Sequence, residues 1–130
     1  MIGLDTNVLV RYLQQDDPQL SSRATALIHS LSGERQGYIS LVTLVELVWI
    51  LVRKFKLERK QIVCIVDSLL RAEELIVERS GFVRSVLHLY ENSKAGFSDC
   101  LIAEQGSVAG CDYTLTFDQT AAKAGGMKPL

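Results

Sequence analysis

Tyr38-Ile39-Ser40-Leu41-Val42-Thr43-Leu44-Val45-Glu46-Leu47-Val48-Trp49-Ile50 changes character in its middle. Tyr38 to Ser40 is a short β-favouring run, and from Leu41 to Val52 the chain is an apolar helical stretch interrupted by Thr43 and Glu46. Ser40 closes the strand and can cap the helix, because its hydroxyl can accept a hydrogen bond from a free N–H of the first turn. A strand that runs straight into a helix belongs to the strand–helix–strand alternation of an α/β protein. That alternation implies right-handed crossovers and a parallel sheet covered by helices on both faces.

The same alternation extends in both directions. Ile2 to Leu4, Leu75 to Val77 and Tyr113 to Phe117 are further short runs, each short enough to be a strand buried on both faces. Helical spacing links Leu20, Ala24, Leu27, Ile28 and Leu31, then Ile62, Ile65, Val66, Leu69 and Leu70, then Val83, Val86, Leu87 and Tyr90. Asp17-Pro18 and the segment from Ser32-Gly33 to Gly37 break the first half, while Lys94-Ala95-Gly96 and Gly110 bracket a helix that begins near Ser98. Gly125 to Leu130 adds an edge strand, where Pro129 is tolerated. With 130 residues and no internal repeat, the expectation is a single domain over residues 1–130, large enough to bury roughly two thirds of its unfolded surface.

A parallel sheet points the C-terminal ends of all its strands to one edge, where sites form. Asp5 follows the first strand and Asp118 follows the Tyr113–Phe117 run. Glu46 lies about 9 Å up its helix at roughly 1.5 Å per residue. With Ser98 as N-cap, Asp99 falls in a first helical turn, where the helix dipole favours an ionised side chain. Taken singly, Asp5 has an ordinary role as the cap of a helix through Val8 to Leu13, Asp99 as a dipole partner and Asp118 as a turn residue. Glu46, flanked by Leu44, Val45, Leu47 and Val48, is expected to be buried, and a buried carboxylate must be protonated, paired or metal-bound. The four acids together suit a hard divalent cation, Mg²⁺ or Mn²⁺, which takes carboxylate and water oxygens.

Other chemistries fit less well. Lys and Arg number 14 against 15 Asp and Glu, so the net charge of −1 gives no global attraction to nucleic acid. Cys64, Cys100 and Cys111 have no metal-binding spacing and are expected to be small core residues. The longest apolar run is about half the roughly 20 residues a membrane span requires. Met1 leads directly into Ile2-Gly3-Leu4-Asp5 without a basic and apolar leader, so the expected compartment is the cytoplasm. His29 and His88 have no neighbouring nucleophile, which argues against a Ser-His-Asp device. Asp5-Thr6-Asn7 lacks the second acid of an aspartyl-phosphate phosphatase, and Val77-Glu78-Arg79 lacks the phosphoacceptor Asp of a receiver domain.

The opening Ile-Gly-Leu-Asp-Thr-Asn-Val-Leu-Val, the Ile-Ser-Leu-Val-Thr-Leu-Val-Glu-Leu around Glu46, the Phe-Ser-Asp-Cys-Leu-Ile-Ala around Asp99 and the Leu-Thr-Phe-Asp ending at Asp118 together resemble the PIN-domain family, more narrowly its VapC-type toxins. The resemblance covers essentially the whole chain. It implies a three-layer α/β/α fold with a central, mainly parallel sheet of about five strands. It also implies a ribonuclease using one or two Mg²⁺ or Mn²⁺ ions and leaving 5′-phosphate and 3′-hydroxyl ends. On this resemblance Asp5, Glu46, Asp99 and Asp118 are the acidic quartet, with Asn7 and Thr116 as accompanying polar positions. RNA, a cognate antitoxin and a second copy of the chain are the implied partners.

Two residue groups bear on these partners. Arg11, one or two turns beyond Asp5, is placed to meet a phosphate, whereas Arg53, Lys54, Lys56, Arg59 and Lys60 suit a helix C-terminus and the turn after it. Trp49, Ile50 and Leu51 fill the core by default but could serve a dimer or antitoxin face. A non-catalytic module of the same fold, or a housekeeping RNA-processing nuclease, is the alternative reading.

Overall fold

A computed structural model of the chain describes residues 1–123 and 125–130 and has an α/β architecture. It divides into two compact units, Met1–Ser80 and Gly81–Leu130.

The first unit runs β1 (Ile2–Gly3), α1 (Thr6–Gln14), α2 (Pro18–Ser30), β2 (Gly37–Ile39), α3 (Leu41–Arg53), α4 (Arg59–Arg71) and β3 (Leu75–Val77). Its strands form a parallel sheet in the order β1-β2-β3, with Ile2 opposite Gly37 and Gly37 opposite Leu75. Each crossover is helical, as parallel pairing requires. Local capping starts the helices. Asp17 Oδ1 accepts the N–H groups of Gln19 and Leu20 at 3.1 and 3.0 Å, ahead of Pro18 in the first turn of α2. Ser40 Oγ accepts the Thr43 N–H at 3.1 Å, as the sequence anticipates, and Glu58 and Gln61 form a capping box on α4. The buried set includes Leu9 and Val10 of α1, Ala24 and Ile28 of α2, Leu44, Leu47 and Leu51 of α3, and Ile62 and Val66 of α4.

The second unit contains α5, which starts at Ser80 and runs to Glu91, followed by α6 (Phe97–Val108), β4 (Thr114–Thr116), a 3-10 helix (Ala121–Lys123) and β5 (Met127–Pro129). β4 and β5 pair in parallel, with Thr114 opposite Met127 and Thr116 opposite Pro129. The strand expected near the C-terminus is therefore present, and Pro129 sits where its missing N–H removes no central ladder bond. Ala103, Ala121 and Met127 form a buried cluster, and the Tyr90 and Phe97 rings meet edge to face at 5.6 Å. No helix among the described residues is long and apolar enough to cross a membrane.

Several expectations are corrected. Hydrogen bonding gives a three-stranded and a two-stranded sheet in place of one sheet of about five strands. Sequence periodicity counts strands but carries no information on which ones share a ladder, and strands of two or three residues offer few bonds with which to extend one. Burial on both faces also fails, because Ile76 of β3 and Leu115 of β4 are solvent-exposed. α6 begins at Phe97 with Gly96 as its N-cap, not at Ser98: Phe97 is buried against Tyr90, and the Cys100 N–H already donates to Gly96 O at 3.1 Å. Cys100 is buried as expected, but Cys64 and Cys111 are exposed.

Gly37 illustrates how tightly the first sheet is covered. A Cβ there would lie 2.8 Å from Leu4 Cδ1, 2.9 Å from Leu31 Cδ1 and 3.2 Å from Leu75 Cδ2, whereas one at Gly3 would meet nothing within 4 Å. Gly37→Ala is expected to destabilise the protein by about 1–3 kcal/mol through overpacking, with Gly3→Ala close to neutral. Chemical denaturation of the two variants checks this, and equal midpoints would contradict it.

Candidate active site

The register of the first sheet, carried just past its strands, aligns Asp5, Ser40 and Glu78 in one row at the carboxyl edge. Leu4 N–H donates to Tyr38 O and Glu78 N–H to Ile39 O, both at 2.9 Å, so the ladders continue up to that row. Neighbouring members of such a row stand roughly 4.8 Å apart. Asp5 caps α1 from an extended backbone (φ −80°, ψ 157°), and its Oδ1 accepts the Thr6 N–H at 2.9 Å. Asn7 is exposed in the same first turn.

Glu78 is the residue that sequence reasoning missed. Its Oε1 accepts the Leu41 N–H at 2.8 Å, so Ser40 and Glu78 together satisfy two free N–H groups at the start of α3. The signal was its place directly after β3, equivalent to that of Asp5 after β1.

Glu46, expected to be buried, is exposed. The helical repeat explains the correction. Leu44, Leu47, Val48 and Leu51 turn into the core, which rotates Val42, Glu46, Trp49 and Arg53 onto the solvent side. A run that is apolar in sequence is thus two-sided in space. Trp49 and Leu51, grouped together by the sequence, lie on opposite sides.

In the second unit, Asp99 occupies the third position of α6 and is half-buried. A Cβ at Gly96 would lie 3.3 Å from Asp99 Oδ2, so the carboxylate folds back over the positive end of its helix. Asp118 follows β4 and is exposed; its Oδ1 accepts the N–H groups of Thr120 at 2.8 Å and Ala121 at 3.2 Å. Thr116 Oγ1 in turn accepts the Asp118 N–H at 3.0 Å, so Thr116 steadies the backbone that carries the carboxylate.

Arg11 is engaged by Asp16, Nη1 to Oδ2 at 2.6 Å, while its Nε is buried with no hydrogen-bond partner among the described residues. It lines an open groove of about 430 Å³ together with Asn7, Val8, Leu20, Arg23 and Leu27. Partial burial pushes the Asp16 carboxyl up, but the Arg11 hydrogen bond, a backbone hydrogen bond and the charges of Arg11 and Lys54 outweigh it and hold the group below the usual carboxylate range.

Asp5 and Glu46 lie in the first unit, Asp99 and Asp118 in the second, and within neither unit do three His, Cys, Asp or Glu side chains gather among the described residues. The donor chemistry nonetheless suits a hard divalent cation. None of the four carboxylates forms an ion pair among the described residues, and the hydrogen bonds of Asp5 and Asp118 use one oxygen each.

Residues 2–127 match the family model of the PIN domain. The chain belongs to the PIN domain family. It is 28% identical over 122 residues to a VapC ribonuclease of Aquifex aeolicus (strain VF5), a similarity spanning 94% of this chain and 90% of that protein. In this PIN domain the turns that carry Asp5, Asp99 and Asp118 are all helix starts, so each carboxylate is held by backbone N–H groups or by the dipole they create.

Two outcomes follow for stability. Asp118→Asn retains an acceptor for Thr120 and Ala121 and should melt like the wild type, whereas Asp118→Ala should lose about 0.5–2 kcal/mol with the cap. Thermal melts of both variants check this. For Asp16 the folded-state pKa is depressed, so its contribution is fully present above the unfolded pKa of about 3.9 and is lost as pH falls through the folded value. The stability gap between wild type and Asp16→Asn should therefore be constant near neutrality and close below about pH 4; a gap that widens on acidification would contradict it.

Proposed function

We propose that this PIN domain is a Mg²⁺- or Mn²⁺-dependent ribonuclease and the toxin of a toxin–antitoxin pair, with Asp5, Glu46, Asp99 and Asp118 as its metal-binding and catalytic carboxylates. The observation that carries this reading is the similarity to a VapC ribonuclease through 94% of the chain. Exposed or half-buried carboxylates that have no cationic partner among the described residues, at the starts of α1 and α6 and after β4, support it. The reading takes residues 1–130 as one three-layered domain, which the family model favours because it runs from residue 2 to 127 across the boundary between the units.

When bound, one or two divalent ions supply Lewis-acid chemistry: they lower the pKa of the attacking water and stabilise the leaving 3′ oxygen of the phosphodiester. The chain's own residues provide the placement. Ser40 and Glu78 hold the first turn of α3, from which Glu46 projects one turn later, and Thr116 holds the turn that presents Asp118. Asn7 stands beside Asp5 as a polar neighbour. Arg11, which lines the groove beside Asn7, serves as a phosphate contact in competition with Asp16.

The protein partners in this reading are a second copy and an antitoxin, and the compartment is the cytoplasm, where RNA is met. Val42 and Trp49, exposed along α3 with Arg53 stacked 5.6 Å from the Trp49 ring, support a homodimer face. An antitoxin tail that places Arg or Lys among the carboxylates would neutralise them without supplying Lewis-acid chemistry.

Purified protein with Mg²⁺ is expected to cleave RNA and to stop in excess EDTA. Asp99→Asn and Glu46→Gln should each lose on the order of 10²-fold or more in rate while remaining folded. Cleavage surviving EDTA, or full activity of both variants, would overturn the metal-dependent mechanism. Expression in a host without the antitoxin should arrest growth with the wild type and not with Asp99→Asn; active enzyme without growth arrest would favour a housekeeping nuclease.

A further inference from the structure

The sheet of the second unit has two unlike faces. Thr114 turns toward α6, close enough that a Cβ on Gly106 would lie 2.6 Å from its Oγ1. Alternation along the strand sends Tyr113, Leu115 and Phe117 to the other side, where they are 47%, 51% and 85% exposed. Leu115 is opposite Lys128 in register, and Lys128 Nζ sits 4.5 Å from the centre of the Tyr113 ring, which confirms that these side chains share one face. Three large apolar side chains in a row with a cation among them form an exposed patch for which the fold of this unit has no use. Phe117 is the most exposed of them and immediately precedes Asp118.

We propose that this face of β4 and β5 is a base-stacking platform for single-stranded RNA, with Phe117 and Tyr113 as stacking surfaces and Lys128 as a phosphate contact. Tyr113 and Phe117 are four residues apart, about 13 Å along an extended chain at roughly 3.3 Å per residue and far more than the roughly 3.4 Å between neighbours along one strand of a duplex. Bases held in a duplex cannot reach successive rings, whereas unpaired bases can spread to them. Aromatic side chains on an open sheet stack such bases without regard to sequence, and a neighbouring Lys supplies the charge that complements the backbone. This local cation matters in a chain whose net charge is −1. A base on Phe117 leaves its phosphate beside the turn of Asp118. The platform rests on the ribonuclease reading and deepens it by assigning Tyr113, Phe117 and Lys128 to hold the substrate's unpaired bases and backbone.

The test measures fluorescence anisotropy of a labelled oligouridylate ten-mer and of a blunt duplex of equal length with the full chain in EDTA, alongside Mg²⁺ cleavage of the same RNAs. Wild type should bind the single strand at least tenfold tighter than the duplex. Phe117→Ala should weaken single-strand binding by roughly 5- to 100-fold with unchanged melting, and Phe117→Trp should restore it. Lys128→Ala should reduce the magnitude of the salt dependence by about 0.7. Asp99→Asn, which removes one negative charge, should bind in EDTA at least as tightly as the wild type. If wild type cleaves RNA while Phe117→Ala and Tyr113→Ala bind and cleave normally, the platform is wrong and the nuclease reading stands. Phe117-dependent binding without any Mg²⁺ cleavage would leave the platform and remove the nuclease. Loss of self-association by Phe117→Ala, with RNA affinity intact, would make the face a protein interface and overturn the proposal.

Discussion

Unpaired N–H groups at helix starts are the constraint on which the rest of this protein depends. An α-helix leaves four such donors in its first turn, and here carboxylates and hydroxyls supply many of the acceptors. Asp5 serves α1, Asp17 serves α2, Ser40 and Glu78 serve α3, and Asp118 serves the 3-10 helix after β4. In the first unit, parallel strands deliver the chain to the starts of α1 and α3 at their carboxyl ends, and there Asp5 and Glu78 are placed by the same N–H groups they satisfy.

A capping carboxylate has two oxygens and commits one. Asp5 and Asp118 each bond N–H groups through Oδ1, which orients the side chain and leaves Oδ2 for another ligand. Stability and chemistry therefore draw on different atoms of the same residue, and an amide substitution separates them because it keeps an acceptor while removing the charge. Glu46 has no such anchor among the described residues. Its position depends on α3, whose first turn is held twice, by Ser40 just after β2 and by Glu78 just after β3, with Leu44, Leu47 and Leu51 buried beneath it.

On the proposed function, an RNA ligand poses an electrostatic problem for a chain of net charge −1 whose candidate residues are carboxylates. Two local features bear on it. The groove lined by Asn7 and Arg11 holds a guanidinium from the last turn of α1, although Asp16 competes for it. The β4–β5 face replaces charge with exposed aromatic surface, where stacking supplies attraction that does not require a basic protein.

Features that depend on neighbours within a few residues can be read directly from the amino-acid order. Strand–helix alternation, the Ser40 cap, the break at Asp17-Pro18, a C-terminal strand within Gly125 to Leu130 and the positions of Asp5 and Asp118 after their strands are all legible, because periodicity and capping are short-range physics. Tertiary structure decided the rest. Glu46 looked buried because its neighbours in sequence are apolar, yet exposure depends on which side of α3 meets the core. The division into three and two paired strands, the row that brings Glu78 beside Ser40, the start of α6 set by Phe97 packing on Tyr90, and the open face of β4 all depend on elements distant in sequence. Register and burial belong to pairs of elements, and no single segment encodes its partner.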